Sequence, residues 1–194
     1  MLRWATCSRT VLSALLLAGS LPAVRGGVLL TQEEALEVAF PGCAVERIVA
    51  FLDPDQVRRI EELGGTAMDT RMVVQYRATR EGALVGTAYF DAHRVRTLPE
   101  TIMVVVGPDD RVLRIDVLSF DEPPDYLPRP RWFEQFQGRE LDPELSLDRG
   151  IRGVTGATLS SRAVTAAVRR ILAAHRVLLE SADGGGGGMG GDPP

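Results

Sequence analysis

From residue 71 the chain runs Arg71-Met72-Val73-Val74-Gln75-Tyr76-Arg77-Ala78-Thr79, turns at Glu81-Gly82, and continues Ala83-Leu84-Val85-Gly86-Thr87-Ala88-Tyr89-Phe90. Small, β-branched and aromatic residues recur at a spacing of two, the period of a strand and not of a helix. The pattern predicts strands over 71–79 and 83–95, joined at Glu81-Gly82. It continues in 101–106 and 112–120, where Gly107-Pro108-Asp109-Asp110 supplies a second hairpin turn. Four consecutive strands with short connections make an antiparallel meander.

Helical signals lie on both sides of this block. Thr31-x-x-Glu34 is a capping box opening a helix over 31–40, which Pro41-Gly42 closes. Residues 45–52 form a further strand. Asp53-Pro54 then sets an N-cap and first helical residue for a second helix with Val57, Ile60 and Leu63 facing inward, ended at Gly64-Gly65. Beyond the meander come a proline-rich loop, a short helix carrying Trp132, Phe133 and Phe136 as core residues, and a loop from Gly138 to Gly156. A long helix follows from Leu159 to about Leu179. It buries Val164, Val168, Ile171 and Leu172 on one face and points Arg162, Arg169 and Arg176 elsewhere. The fold class expected is α+β: an antiparallel meander packed by helices, the long helix last, in one domain over residues 28–181. Residues 182–194, Gly-rich and without core-forming side chains, are expected to be a disordered tail.

Composition narrows the chemistry. All 22 basic residues are arginine, and there is neither lysine nor asparagine. Schiff-base and P-loop lysines and N-glycosylation are therefore excluded. The only two cysteines and two histidines, at positions 7, 43, 93 and 175, lack the clustered spacing of a zinc finger or an iron–sulfur site. Residues 1–26 have the form of an export signal: Arg3 and Arg9 precede an apolar run of about 14 residues over 11–24, short of the roughly 20 that span a bilayer. An uncleaved signal anchor is the alternative. Without this segment the formal charge falls from −4 to −7, which argues against nucleic acid as a partner. Cys43 is then alone and cannot form an intramolecular disulfide.

The stretch with most chemical content is Gly153-Val154-Thr155-Gly156-Ala157-Thr158-Leu159-Ser160-Ser161. It is a small-residue turn leading into the long helix. Thr158, Ser160 and Ser161 bring hydroxyls, with free N–H groups, to the positive end of that helix, where a phosphate is stabilised. A hydroxyl there could bind a phosphate or be its point of attachment. The plain structural alternative makes Thr158 an N-cap.

Thr155-Gly156-Ala157-Thr158 followed by Leu159-Ser160-Ser161-Arg162-Ala163-Val164 resembles the motif of the FMN-binding domain family. That family includes the flavin-bearing C subunit of sodium-translocating NADH:quinone reductase and the G subunit of the Rnf electron-transport complex. Glu122-Pro123-Pro124, then Trp132 and Phe136, resemble the family's Glu-Thr-Pro-Gly stretch and the aromatic helix after it. The resemblance is strongest over residues 83–177. It implies FMN linked by a phosphoester to Thr158 and placed there by a flavin transferase. Thr155, Gly156, Ala157, Ser160, Ser161 and Glu122 would be the surrounding cofactor-binding residues. It further implies an exported, periplasmic or membrane-associated electron carrier that works with a redox partner protein or a membrane electron-transport complex, and whose redox chemistry is the cofactor's own.

Two positions depart from the family pattern. Arg152 stands where the family usually has Asp, with Asp148 four residues upstream, and Pro124-Asp125-Tyr126 replaces Pro-Gly and a small residue. Tyr126 is a candidate to stack on the isoalloxazine. Arg94 and Arg96 are candidates to place positive charge near the flavin, against the alternative that they end a strand in water. His93 is more simply a satisfied structural histidine, and His175 is expected to face solvent. No residue is assigned a catalytic or metal-ligating role. Two other function classes fit the same residues: a non-redox exported accessory module that has lost the cofactor, and a flavin reductase-like enzyme with non-covalent FMN.

Overall fold

The computed structural model describes residues 27–147 and 149–184. The export signal expected over 1–26, Asp148, and the tail from residue 185 lie outside the described residues.

The meander is present and longer than the sequence pattern implies. Strands β1 (Gly27–Val28), β2 (Ala44–Phe51), β3 (Met72–Arg80), β4 (Ala83–Arg94), β5 (Pro99–Val106) and β6 (Val112–Phe120) form one antiparallel sheet in the order β1-β6-β5-β4-β3-β2. β1 escapes a pattern reading because two residues carry no period; it exists because Gly27 pairs with Phe120 and Val28 with Ser119. Glu81 and Gly82 both take positive φ, 52° and 82°, so Arg80 meets Ala83 across a two-residue turn whose twist matches that of the strands.

Both faces of the sheet are covered, and β5 shows it most clearly. Ile102, Val104 and Val106 point to one core, Met103 and Val105 to the other, and all five are essentially inaccessible. On the second face Met103, Val105, Ala78, Ala88 and Leu118 meet Ala35 and Phe40. These come from helix α1 (Gln32–Ala39) and its C-cap. The Thr31–Glu34 capping box starts that helix, with both reciprocal hydrogen bonds formed. On the first face lie α2 (Pro54–Gly64), capped by Asp53, and the long α4 (Thr158–Gly184). Val164, Val168, Ile171 and Leu172 of α4 are buried against Tyr89, Ile102 and Ile60. Each such side chain contributes about 1.5–3 kcal/mol by leaving water.

Three expectations are corrected. α4 begins one residue earlier than expected and continues through residue 184, so residues 182–184 of the expected tail are its last turn. Arg169 does not point away from the core. Its Nε donates to the Gly64 carbonyl at 2.7 Å, and its Nη1 donates to the carbonyls of Asp142 and Leu145 at 2.9 and 3.0 Å. It thereby ties α4 to the end of α2 and to the loop after β6. That loop is also less superficial than its composition suggests. Leu141, Leu145 and Ile151 are buried, because the loop must close the core below the short helix α3 (Pro130–Phe133) and the 3-10 turn Glu134–Phe136. Trp132, Phe133 and Phe136 join that core in edge-to-face contact, as expected from their spacing. The Trp132 indole donates to the Arg152 carbonyl at 2.6 Å, anchoring the segment that leads into α4.

His175 is the third correction. It is 5% exposed and does not face solvent. The Tyr89 hydroxyl and His175 Nδ1 are 2.7 Å apart, and His175 Nε2 lies 3.1 Å from Asp110. A neutral ring that accepts from Tyr89 and donates to Asp110 satisfies both partners. Burial holds the imidazole below its ordinary pKa despite Asp110, and burial pushes the Tyr89 phenol well above its own.

Candidate functional site

Residues 151–157 carry the chain from the core back to the surface and start α4 beside the end of the meander. Gly156 has φ +87°, and Ala157 N–H closes a turn onto the Val154 carbonyl at 3.0 Å. Ala157 is itself the N-cap, since its carbonyl accepts from Ser161 N–H at 2.9 Å. The N–H groups of Thr158, Leu159 and Ser160 are then the orphan donors of the helix start, aligned with its positive dipole end.

The hydroxyls of Thr158, Ser160 and Ser161, in the first turn of α4, have different fates. Ser160 is 1% exposed and donates to the Tyr126 carbonyl at 2.6 Å. Ser161 is inaccessible and donates to the Ala157 carbonyl at 3.0 Å. Thr158 is exposed, with only a 3.3 Å bond to the Val154 carbonyl. It sits one residue inside the helix and donates backwards, so it does not act as the N-cap. Of these three residues, Thr158 is the exposed one.

A cavity of about 200 Å³ opens at this point, lined by Arg96, Tyr126, Gly156, Ala157, Thr158, Leu159 and Ser160. Residues from three separate segments meet here. Arg96 lies with its guanidinium carbon 4.9 Å from the centre of the Tyr126 ring, within cation–π range. Tyr126 is placed by the 3-10 turn Pro124–Tyr126 and by the bond from Ser160. Arg96 is placed by Glu122. One oxygen of this buried carboxylate accepts N–H bonds from Arg96, Thr97 and Leu98 at 3.2, 2.7 and 2.9 Å. Those amides, Thr97 and Leu98 foremost, hold the Glu122 carboxyl below the usual carboxylate range.

Thus Arg96, Tyr126, Gly156, Ala157, Thr158 and Ser160 are gathered around one opening. The other sequence candidates lie elsewhere. Ser161 is buried in the first turn, and Glu122 stands behind the loop it organises. Arg94 is exposed, with its guanidinium on the Thr97 carbonyl. Thr155 faces a second, larger groove, which Arg152 also lines. Arg152 is therefore not a lining residue of the Thr158 opening.

Sequence reasoning missed the buried charge row leading away from this loop. Arg170 of α4 bonds both oxygens of Asp91 at 2.8 and 2.9 Å. His93 lies 2.9 Å from Asp91 and 3.3 Å from Glu100. Burial would lower the His93 pKa, but hydrogen bonds and charge from Asp91 and Glu100 more than offset it and raise it to about 9. Asp91 is held below its usual value: burial opposes ionisation, and His93 and Arg170 outweigh it. The i, i+2 spacing of Asp91 and His93 on one strand face was visible; their partner on α4 was not.

The opening fits the phosphate end of a flavin nucleotide. It combines a helix start with orphan amides, one guanidinium, one aromatic face and one exposed threonine. Pockets enclosing a whole drug-sized ligand measure roughly 300–1,000 Å³, so this opening suits a phosphate and its adjoining chain. Among the described residues, no group of His, Cys, Asp and Glu could hold a metal ion, and no helix is long and apolar enough to cross a membrane.

Compared with protein-family models, residues 98–173 match the FMN-binding domain, from the residue after the Glu122-bound Thr97 into the middle of α4. Thr158, Tyr126, Glu122 and the 155–161 turn fall within the match; Arg94 and Arg96 precede it. The match indicates FMN as the cofactor. No curated protein and no solved structure matches the chain.

Proposed function

We propose, on the premise that residues 98–173 belong to the FMN-binding domain family, that this chain is an exported electron carrier whose FMN is attached by a phosphoester to Thr158. The observation that supports attachment at this residue is the contrast among the three hydroxyls. Ser160 and Ser161 are buried and committed to backbone carbonyls, whereas Thr158 is exposed at the opening. In this reading the amides of Thr158, Leu159 and Ser160 hold the phosphate oxygens, and the helix dipole favours their charge. Arg96 adds a cation at the same mouth, held in place by Glu122, and Tyr126 offers a ring face to the flavin. FMN supplies the electron-transfer chemistry when bound. The chain's own residues bind it, fix its position and set the charge around it.

Work outside the cytoplasm, maturation by a flavin transferase, and electron exchange with a partner protein or membrane complex complete the proposal. The form of residues 1–26 supports export. The test is coexpression of the full chain with a flavin transferase, followed by denaturing electrophoresis. A UV-fluorescent band and an intact mass raised by one FMN less the water lost in forming the phosphoester, both lost in Thr158→Val, are expected. Fluorescence that survives Thr158→Val overturns the assignment of Thr158. A colourless protein that takes up no FMN favours a non-redox accessory module.

A further inference from the structure

On the other side of the 153–157 turn from the Thr158 opening lies a groove of about 890 Å³. It is lined by Arg129, Arg131, Arg139 and Arg152, with Trp132, Gln135 and Thr155 between them. Four arginines line it against a single acidic residue, Asp125, in a chain whose formal net charge is −4. Arg139 is partly committed, donating to the Gly150 carbonyl at 3.0 Å. Arg129, Arg131 and Arg152 are exposed, and none forms an ion pair among the described residues.

The groove is rigid where it matters. Trp132 donates to the Arg152 carbonyl, and Gln135 Oε1 accepts the Arg152 N–H at 3.0 Å. The segment bearing Arg152 and the helix bearing Arg131 are thus tied together, and they bring to one groove arginines that form no ion pair among the described residues. An arginine-lined groove of this kind favours an anionic occupant. A single phosphate or carboxylate is far smaller than the groove, so cations spread around its wall match several separate carboxylates better than one small anion. The groove shares the 153–157 turn with the Thr158 opening: Thr155 faces one, Gly156 and Thr158 the other.

We infer that this arginine groove is the docking site for an acidic face of the protein that exchanges electrons with the carried flavin. The identity of the occupant rests on the electron-carrier reading above; the anion preference of the groove does not. Docking here would set a carboxylate-rich surface against the arginines and bring the partner beside the turn that carries the flavin. Acidic surfaces steered in this way associate quickly and weakly, with strong dependence on ionic strength.

The test uses the full chain and a fluorescein-labelled dodecapeptide of alternating Glu and Gly, read by fluorescence polarisation at low salt. Controls are a Gln-for-Glu version of the peptide and a thymidine oligonucleotide of equal charge. The combined variant Arg129→Gln, Arg131→Gln, Arg152→Gln should weaken acidic-peptide binding at least about tenfold, as three exposed charges together imply. Removing the same charge elsewhere, by Arg47→Gln, Arg58→Gln and Arg59→Gln, should change it less than about twofold. Wild-type binding should fall steeply as salt is added, and the Gln peptide should not bind. If the combined variant fails to fold, the three single variants serve, each expected at roughly two- to threefold. Equal losses in both triple variants, no loss in the groove variant, no wild-type binding, or oligonucleotide binding as tight as the peptide overturns the inference. Thr158→Val should bind the peptide normally, so failure of the groove and failure of flavin attachment are separate results.

Discussion

The Ser160 hydroxyl donates to the Tyr126 carbonyl at 2.6 Å, and this one bond joins the first turn of α4 to the loop carrying the aromatic wall of the candidate site. The residues are 34 positions apart in sequence. Ser161, one position on, makes a longer bond, 3.0 Å, back to Ala157, the N-cap of its own helix.

Ser160→Ala should therefore act on the site and Ser161→Ala only on the helix. Losing the Ser160 bond leaves the Tyr126 carbonyl without this donor and should cost about 1–3 kcal/mol. Flavin incorporation during coexpression should fall several-fold. Ser161→Ala should lower the thermal midpoint with little change in incorporation. Scanning calorimetry and fluorescence of the denatured band, taken on both variants, check the contrast. Equal incorporation in the two would remove the role given to Tyr126.

Gly156 is needed for its backbone angle and not for space. Its φ is +87°, and a Cβ there would meet nothing within 4 Å. Gly156→Ala should cost about 1–2 kcal/mol and loosen the turn that presents Thr158. Gly156→Asn, although larger, should cost less, because asparagine tolerates positive φ and the space is open. Thermal midpoints of the pair decide the matter; an asparagine variant less stable than the alanine variant would point to a steric cause.

The two histidines should shape the pH profile of stability from opposite sides. His93 has its pKa raised to about 9. Its contribution, up to about 3 kcal/mol, is complete below its unfolded pKa of about 6.5 and is lost as pH rises toward 9. His175 is held below its ordinary pKa. Its neutral ring suits the fold, so stability is complete above about 6.5 and declines as pH falls below it. Urea denaturation across pH 5–10 should show a maximum near neutrality. His93→Gln should flatten the alkaline limb alone, and an unchanged alkaline slope would contradict the charge row from Arg170 to Glu100.

Local chemistry made much of this fold legible in the sequence. The capping box at Thr31, the N-cap at Asp53, the Glu81-Gly82 turn, the two-residue period of the meander and the inward stripe of α4 all depend on neighbours within a few positions. Sequence patterns record such neighbours directly. The resemblance carried by Thr155-Gly156-Ala157-Thr158 likewise lies in one continuous run, which is why the likeness to the FMN-binding domain is legible in the sequence.

What needed the folded chain was every relationship between distant segments. Pairing with Phe120 made β1 a strand. The loop after β6 belongs to the core because Leu141, Leu145 and Ile151 find apolar partners that no local period announces. His175 reads as a surface residue along α4 until Tyr89 and Asp110 close over it. The same holds for the site. Sequence alone named Thr158, offered Ser160, Ser161, Arg96 and Tyr126 around it and marked Arg152 as a departure from the family pattern, but did not say which of them meet. Burial and hydrogen bonding then committed the two serines to carbonyls, gathered Arg96 and Tyr126 at the opening, and turned Arg152 to a different groove. The physical reason is plain: propensity, capping and turn geometry act over a few residues, whereas burial and the pairing of polar groups are settled only when remote segments compete for the same space and the same donors.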